Sequence, residues 1–114
     1  MKVVINKRYS GFGLSDQAIE ALAELKGIQL YKVASSTFSY TNHYYTDPKL
    51  ENYYSPYDYP RHDADLVKVV ETLGKAANTP FSNLVIVEIP DGVDYYVDEY
   101  DGMETINETH RSWG

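Results

Sequence analysis

The 114-residue chain has no cysteine, which excludes a disulfide framework, a thiol nucleophile and any thiolate metal site, and makes an oxidising compartment unnecessary. Long apolar runs are also missing. No stretch approaches the roughly 18 residues of a membrane span, and the opening residues lack the apolar run of a secretory signal. A cytoplasmic location with no membrane partner is the default expectation. Positive charge is scarce: 10 Lys plus Arg stand against 17 Asp plus Glu, for a net charge of −7. That balance disfavours free nucleic acid as a partner, because phosphate contacts need a basic footprint. Aliphatic residues are few as well, since 12 of the apolar residues are tyrosines. The length allows one domain, residues 1–114, with a single modest core.

The elements that can be read form an ordered series. Val3-Val4-Ile5 suits a strand buried on both faces. Ser10-Gly11-Phe12-Gly13 then punctuates the chain, and Ser15 reads as the N-cap of a helix, with Asp16 in its first turn and Leu14 stapled to Ile19. Ala18, Ile19, Leu22 and Leu25 form its apolar stripe, and Gly27 ends it. Residues 28–33 read as a second strand, so the first third is expected to be a parallel, right-handed βαβ unit. Asp63 is the N-cap of a second helix with Leu66, Val69, Val70, Leu73 and Ala77 at helical spacing. Gly74 inside that helix suggests a close packing contact. A third strand at 84–89 and a fourth at 93–100 are expected to form a hairpin through Pro90-Asp91-Gly92. Asp101 and Glu104 have capping-box spacing, which predicts a closing helix carrying Met103, Ile106, His110 and Trp113 on one side. The class is therefore α/β, with α+β as the variant: one small domain in the order βαβ, Tyr-rich loop, αββα, whose mixed sheet is covered by helices.

Two features stand out against this background. Residues 36–60 hold seven tyrosines, three prolines and Leu50 as the only aliphatic, which predicts a long loop or a loosely paired ribbon. Tyr44, Tyr45, Tyr53, Tyr54, Tyr57 and Tyr59 have the composition of a recognition surface or an oligomer interface. A loop of that length in so small a unit also suggests contact with a second subunit in a homo-oligomer. Residues 88–108 hold eight of the 17 acids and no Lys or Arg, so that end of the molecule carries a negative field. Asp94, Asp98 and Asp101 there are candidate partner-binding residues.

For a small anionic ligand the candidates are Arg8, Gly11, Phe12, Gly13, Ser15, Arg61, His110 and Arg111. A strand-to-helix turn presents backbone N–H groups and the positive end of a helix dipole, the arginines supply cations, and Phe12 supplies a ring for a base. The turn lacks the third glycine of a dinucleotide fingerprint and the Lys-Ser/Thr of a P-loop, so a tight turn before a capped helix is the plainer reading. Arg61-His62-Asp63-Ala64-Asp65 gathers a cation, an imidazole and two carboxylates, but no second ligand pair for a metal. No metal site, cofactor or catalytic residue is assigned.

The stretches Met1-Lys2-Val3-Val4-Ile5-Asn6 and Tyr9-Ser10-Gly11-Phe12-Gly13-Leu14-Ser15, the central Arg61 with Asp65-Leu66-Val67-Lys68-Val69-Val70-Glu71, and the later Val87-Glu88-Ile89-Pro90-Asp91, Glu99-Tyr100-Asp101-Gly102 and His110-Arg111-Ser112-Trp113 resemble a family of small phage and prophage proteins. The resemblance covers both ends and the second helix but not the Tyr-rich loop. It brings no assigned chemistry. It implies a small accessory protein in the host cytoplasm, acting on a host protein or a small signalling molecule. The expected function is thus a non-enzymatic binding protein that engages a host factor or sequesters a nucleotide-derived signal, in counter-defence. One alternative is an acidic protein–protein inhibitor that mimics nucleic-acid charge. Another is a small hydrolase or nucleotide-modifying enzyme with His62 or His110 as base beside Asp63 or Asp65.

Overall fold

A computed structural model describes residues 1–9, 11–34 and 42–108. The elements are β1 (Lys2–Asn6), α1 (Asp16–Leu25), β2 (Tyr31–Val33), β3 (His43–Tyr45), α2 (Ala64–Leu73), β4 (Leu84–Glu88), β5 (Tyr95–Tyr100) and β6 (Met103–Glu108), with short 3₁₀ turns at Pro56–Asp58 and Gly74–Ala77. The class is the expected mixed α/β, but the strands pair differently. They make three two-stranded antiparallel sheets, β1 with β4, β2 with β3 and β5 with β6.

Local signals acted as anticipated at both helix starts, while Leu25, expected in the buried stripe of α1, is exposed near its end. Ser15 Oγ accepts from the Ala18 N–H, and Ala18, Ile19, Leu22 and Ala23 are buried. Leu14 and Ile19 lie together in the core, and Gly27 leaves the helix with φ +71°. Asp63 accepts from the Leu66 N–H, and α2 buries Leu66, Val67, Val69 and Val70. Both helices pack on each other, and α2 packs on β1 and β4, so the main core lies between the helix pair and one face of that sheet. Lys26, just past α1, donates to Asp63 at 2.9 Å and to Asp65 at 3.1 Å, joining the two helices by charge.

Four expectations are corrected. The parallel βαβ unit does not form: β1 pairs antiparallel with β4, Lys2 opposite Glu88 through Asn6 opposite Leu84. The chain after α1 offers only three residues to a ladder, with Lys32 between Tyr31 and Val33, and a central strand cannot bury that lysine. β2 instead pairs with β3, so the described part of the Tyr-rich segment is a ribbon, extended by a Tyr45–Tyr53 bridge. Gly74 ends α2 rather than sitting inside it, at φ +56° with nothing within 4 Å of a built Cβ. It is a conformational stop, not a close contact.

The hairpin through Pro90-Asp91-Gly92 is also absent, because β4 is taken by β1, with the Ile89 N–H donating to the Met1 carbonyl. The turn forms one strand later. Asp101 and Gly102 have φ +50° and +89°, the two left-handed central positions of a type I′ turn, and residues 103–108 continue as β6 in register with β5. No closing helix starts at Met103. The expected positions His110, Arg111 and Trp113 lie outside the described residues.

Burial alone would raise Asp63, but hydrogen bonds from the Lys26 ammonium and the Leu66 N–H outweigh it and hold the carboxyl below its ordinary value of 3.8. A depressed carboxyl stabilises the fold above its unfolded value, and that contribution is lost as pH falls through the folded value. Thermal melts of the wild type should therefore drop from neutral pH down through the carboxylate range. In Lys26→Met the neutral-pH melt should be lower and the acid drop flattened, since Asp63 then gains from protonation.

Candidate functional site

The centre of the described structure is an ion pair. Arg61 approaches Glu104 with both terminal nitrogens, Nη1 to Oε1 at 2.6 Å and Nη2 to Oε2 at 2.8 Å. Its guanidinium lies 3.7 Å from the centroid of the Phe12 ring, which meets Tyr57 edge-on. Glu104 is 4% exposed and also accepts the Asn6 N–H at 2.8 Å. Fully buried Asn6 donates its amide to the carbonyls of Gly102 and Arg8, and accepts from the Asn83 N–H. The backbone follows the same path, with the Val4 N–H donating to the Arg61 carbonyl. Arg61 and Phe12, both ligand candidates, therefore meet each other.

The β1–α1 turn is likewise committed internally. The Leu14 N–H donates to the Tyr57 hydroxyl, the Ser15 N–H to the Ala77 carbonyl, and Ser15 Oγ to the Ala76 carbonyl. The Gly13 carbonyl accepts from Ser82 Oγ, and a Cβ on Gly13 would stand 3.2 Å from Thr79, so this glycine allows a close approach of two loops. Asp16, at the helix start, accepts from the Asn42 N–H, and its carboxylate occupies the end of the helix that favours an anion. Gly11, at φ +114°, supplies the bend. Arg8 points elsewhere, donating to the Pro80 carbonyl at 2.8 Å. His110 and Arg111 lie outside the described residues, so the structure brings together Gly11, Phe12, Gly13, Ser15 and Arg61 without Arg8.

The tyrosines divide into two groups. Tyr44 and Tyr54 are core residues, hydrogen-bonded to Glu20 at 2.7 Å and to Tyr59 at 3.2 Å. Burial first, and then those hydrogen bonds, push both phenols well above the usual tyrosine value. Tyr59 lies under the Lys26 ammonium, while Tyr45 stacks edge-on against the exposed Tyr53. Tyr57 is half exposed. Much of the described part of the segment thus covers the helices, through Tyr44 and Tyr54 in the shared core.

The acidic end is organised by the β5–β6 register. Asp98 faces Thr105, and Tyr96 and Tyr100 face Asn107 and Met103, so strand alternation puts all six on one side of the ribbon. That side is open: Tyr100 is 74% exposed and Tyr96 is 52% exposed. Tyr9 joins Asp98, Glu99 and Tyr100 around a concavity of about 460 Å³. On the far strand end, Tyr95 hydrogen-bonds His62 Nδ1 at 2.6 Å, beside a cleft of about 680 Å³ lined by Arg61, Asp94 and Tyr96 among others. Asp94, Asp98 and Asp101 do share this arm. The carboxylates expected to assist His62 do not face it, since Asp63 and Asp65 are held by Lys26.

Alternation in the sequence puts Asp94, Tyr96, Asp98 and Tyr100 on one face of the strand, but Tyr9, Tyr96 and Tyr100 are not among the expected binding residues, nor Asn6 and Glu104 among those expected to form an internal clamp. An Asp-Gly pair between two alternating segments was the signal for the first set. For the second, no local signal exists, because the partners are brought in from distant parts of the chain. Among the described residues, no helix is long and apolar enough to cross a membrane and no group of three His, Asp or Glu residues converges on one point. No family model, curated protein or solved structure matches the chain.

Glu104→Ala leaves the Arg61 guanidinium and the Asn6 N–H without their acceptor. Breaking such a pair from one side should cost about 3 kcal/mol, read as a lower midpoint in chemical denaturation. Glu104→Gln, which keeps an acceptor oxygen, should cost less.

Proposed function

We propose that this protein is a non-enzymatic binding module whose working surface is the outer face of the β5–β6 ribbon, and that its partner is a basic protein. The observation that carries the reading is the exposed row Tyr96, Asp98 and Tyr100 on one face of an arm that has no Lys or Arg between residues 88 and 108. Rigid aromatic side chains supply contact area at low entropic cost, and carboxylates on an extended ribbon present a negative field to a surface built for phosphates. This is the acidic-inhibitor reading of the sequence, now with a scaffold. The resemblance to small phage and prophage proteins supports taking the partner as a host protein met in the host cytoplasm.

Three features support a binding module over an enzyme. His62 is hydrogen-bonded to a tyrosine rather than to a carboxylate. Asp63 and Asp65 are both paired with Lys26. The arginine that could stabilise a developing negative charge is already paired with Glu104.

The immobilised full chain, exposed to a bacterial lysate at low salt, should retain a basic protein that elutes as salt rises and is displaced by added duplex DNA. Replacing Asp94, Asp98 and Asp101 together by Asn should abolish retention, and Tyr100→Ala should weaken it about tenfold. Retention of the same protein at the same salt by the triple variant overturns the proposal.

A further inference from the structure

Although the molecule is acidic overall, the charged residues that line one of its concavities are all cations. Lys7 and Arg8, at the end of β1, and Lys75, in the 3₁₀ turn after α2, surround a space of about 390 Å³ whose remaining lining is Asn78, Thr79, Pro80, Ser82 and Asn83. No carboxylate lines it. Three other cations are paired, Lys2 with Glu71, Lys26 with Asp63 and Asp65, and Arg61 with Glu104, while Lys32, Lys49 and Lys68 are in no ion pair among the described residues but do not line this concavity. Lys7, Arg8 and Lys75 form no ion pair with any described residue. Like charges gathered on one open concavity repel one another, and an anion seated among them removes that cost.

The floor beneath the three cations is held in place by the fold. The Lys7 N–H donates to the Asn83 carbonyl, the Asn83 N–H to Asn6 Oδ1, and the Leu84 N–H to Asn78 Oδ1. Thr79 and Ser82 close a tight turn through the Thr79 N–H to Ser82 Oγ, which itself donates to Gly13. Arg8 is oriented by its Nη1 bond to the Pro80 carbonyl, and a guanidinium so fixed keeps further N–H donors for a ligand. A floor already ordered spends little of the binding energy on arranging itself.

We propose that this concavity binds the phosphoryl group of a small molecule. Three cations suit a group carrying two or more negative charges, and the neutral amides and hydroxyls at the rim can accept and donate to whatever the phosphoryl is attached to. A long polyanion is disfavoured, because Tyr9, next to Arg8, borders the acidic ribbon. The site stands independently of the ribbon's partner: its residues contribute nothing to the Tyr96, Asp98 and Tyr100 face.

The test is a titration of ¹⁵N-labelled full-length protein with inorganic phosphate, pyrophosphate and AMP at constant ionic strength, with chloride as the control. Amide shifts should cluster at Lys7, Arg8, Lys75, Thr79 and Asn83, and pyrophosphate should bind more tightly than phosphate. Arg8→Ala and Lys75→Ala should each weaken binding about tenfold, while Lys49→Ala should leave it unchanged. Shifts that scatter over the surface, that chloride reproduces, or that survive Arg8→Ala undiminished would overturn the assignment. Retention of the basic protein by Arg8→Ala would show that loss at this site leaves the ribbon reading standing.

Discussion

A buried carboxylate must have all its partners or the fold around it fails, and Glu104 is that carboxylate. Its two oxygens receive Arg61 in a forked arrangement and the Asn6 N–H, so one side chain of the ribbon holds both the strand β1 and the segment leading into α2. Asn6 completes the arrangement by reaching the carbonyl of Gly102 and the amide of Asn83. Without this network the β5–β6 ribbon would be an isolated hairpin, which is marginal in water. With it, the ribbon is fixed on the body. A buried pair contributes little net stability against an apolar replacement, but a ribbon displaced from this position would leave Glu104 and its donors unpaired.

The parts of the fold legible in the sequence were those decided within a few residues. Ser15 and Asp63 cap helices, Gly27 ends one, and the apolar spacing of α1 and α2 gives the faces that are buried, because each depends on neighbours three or four positions away. Strand pairing is decided elsewhere. Val3-Val4-Ile5 reads as a strand buried on both faces, which it is, but such a run is compatible with parallel and antiparallel partners alike. The residues after Asp101 carried two conflicting signals. Asp101 and Glu104 have the spacing of a helix cap, while Asp101-Gly102 is also the favoured pair of a type I′ turn. The alternation that continues through Thr105 and Ile106 settles it for the strand, and Glu104 is drawn away from capping by Arg61.

The candidate site was legible to the same degree. The acids of the ribbon could be counted in advance and alternation puts Asp94 and Asp98 on one face, whereas the second strand that backs that face needed the register. Tyrosine content pointed to residues 36–60, yet the structure uses Tyr44 and Tyr54 as core, and among the described residues the most exposed tyrosine is Tyr100. Composition cannot separate these uses, because a phenol is equally suited to a buried hydrogen bond and to a wet surface. The two described arginines follow the same logic: Arg61 looked available by charge alone and is engaged by Glu104 and Phe12, while the Arg8 guanidinium donates to the Pro80 carbonyl.

The antiparallel pairing of β1 with β4 joins Lys2 to Glu88, nearly the whole described chain apart, and this fixes an order of events. Loop closure over such a separation is entropically costly and slow, while the β5–β6 turn and the two helices close over a few residues. The most deeply buried strand precedes all the others in the chain and is paired late. Until residues 84–88 have emerged, Val3, Val4 and Ile5 have no ladder to join, and their open edge is the part of the nascent chain most exposed to the wrong partner.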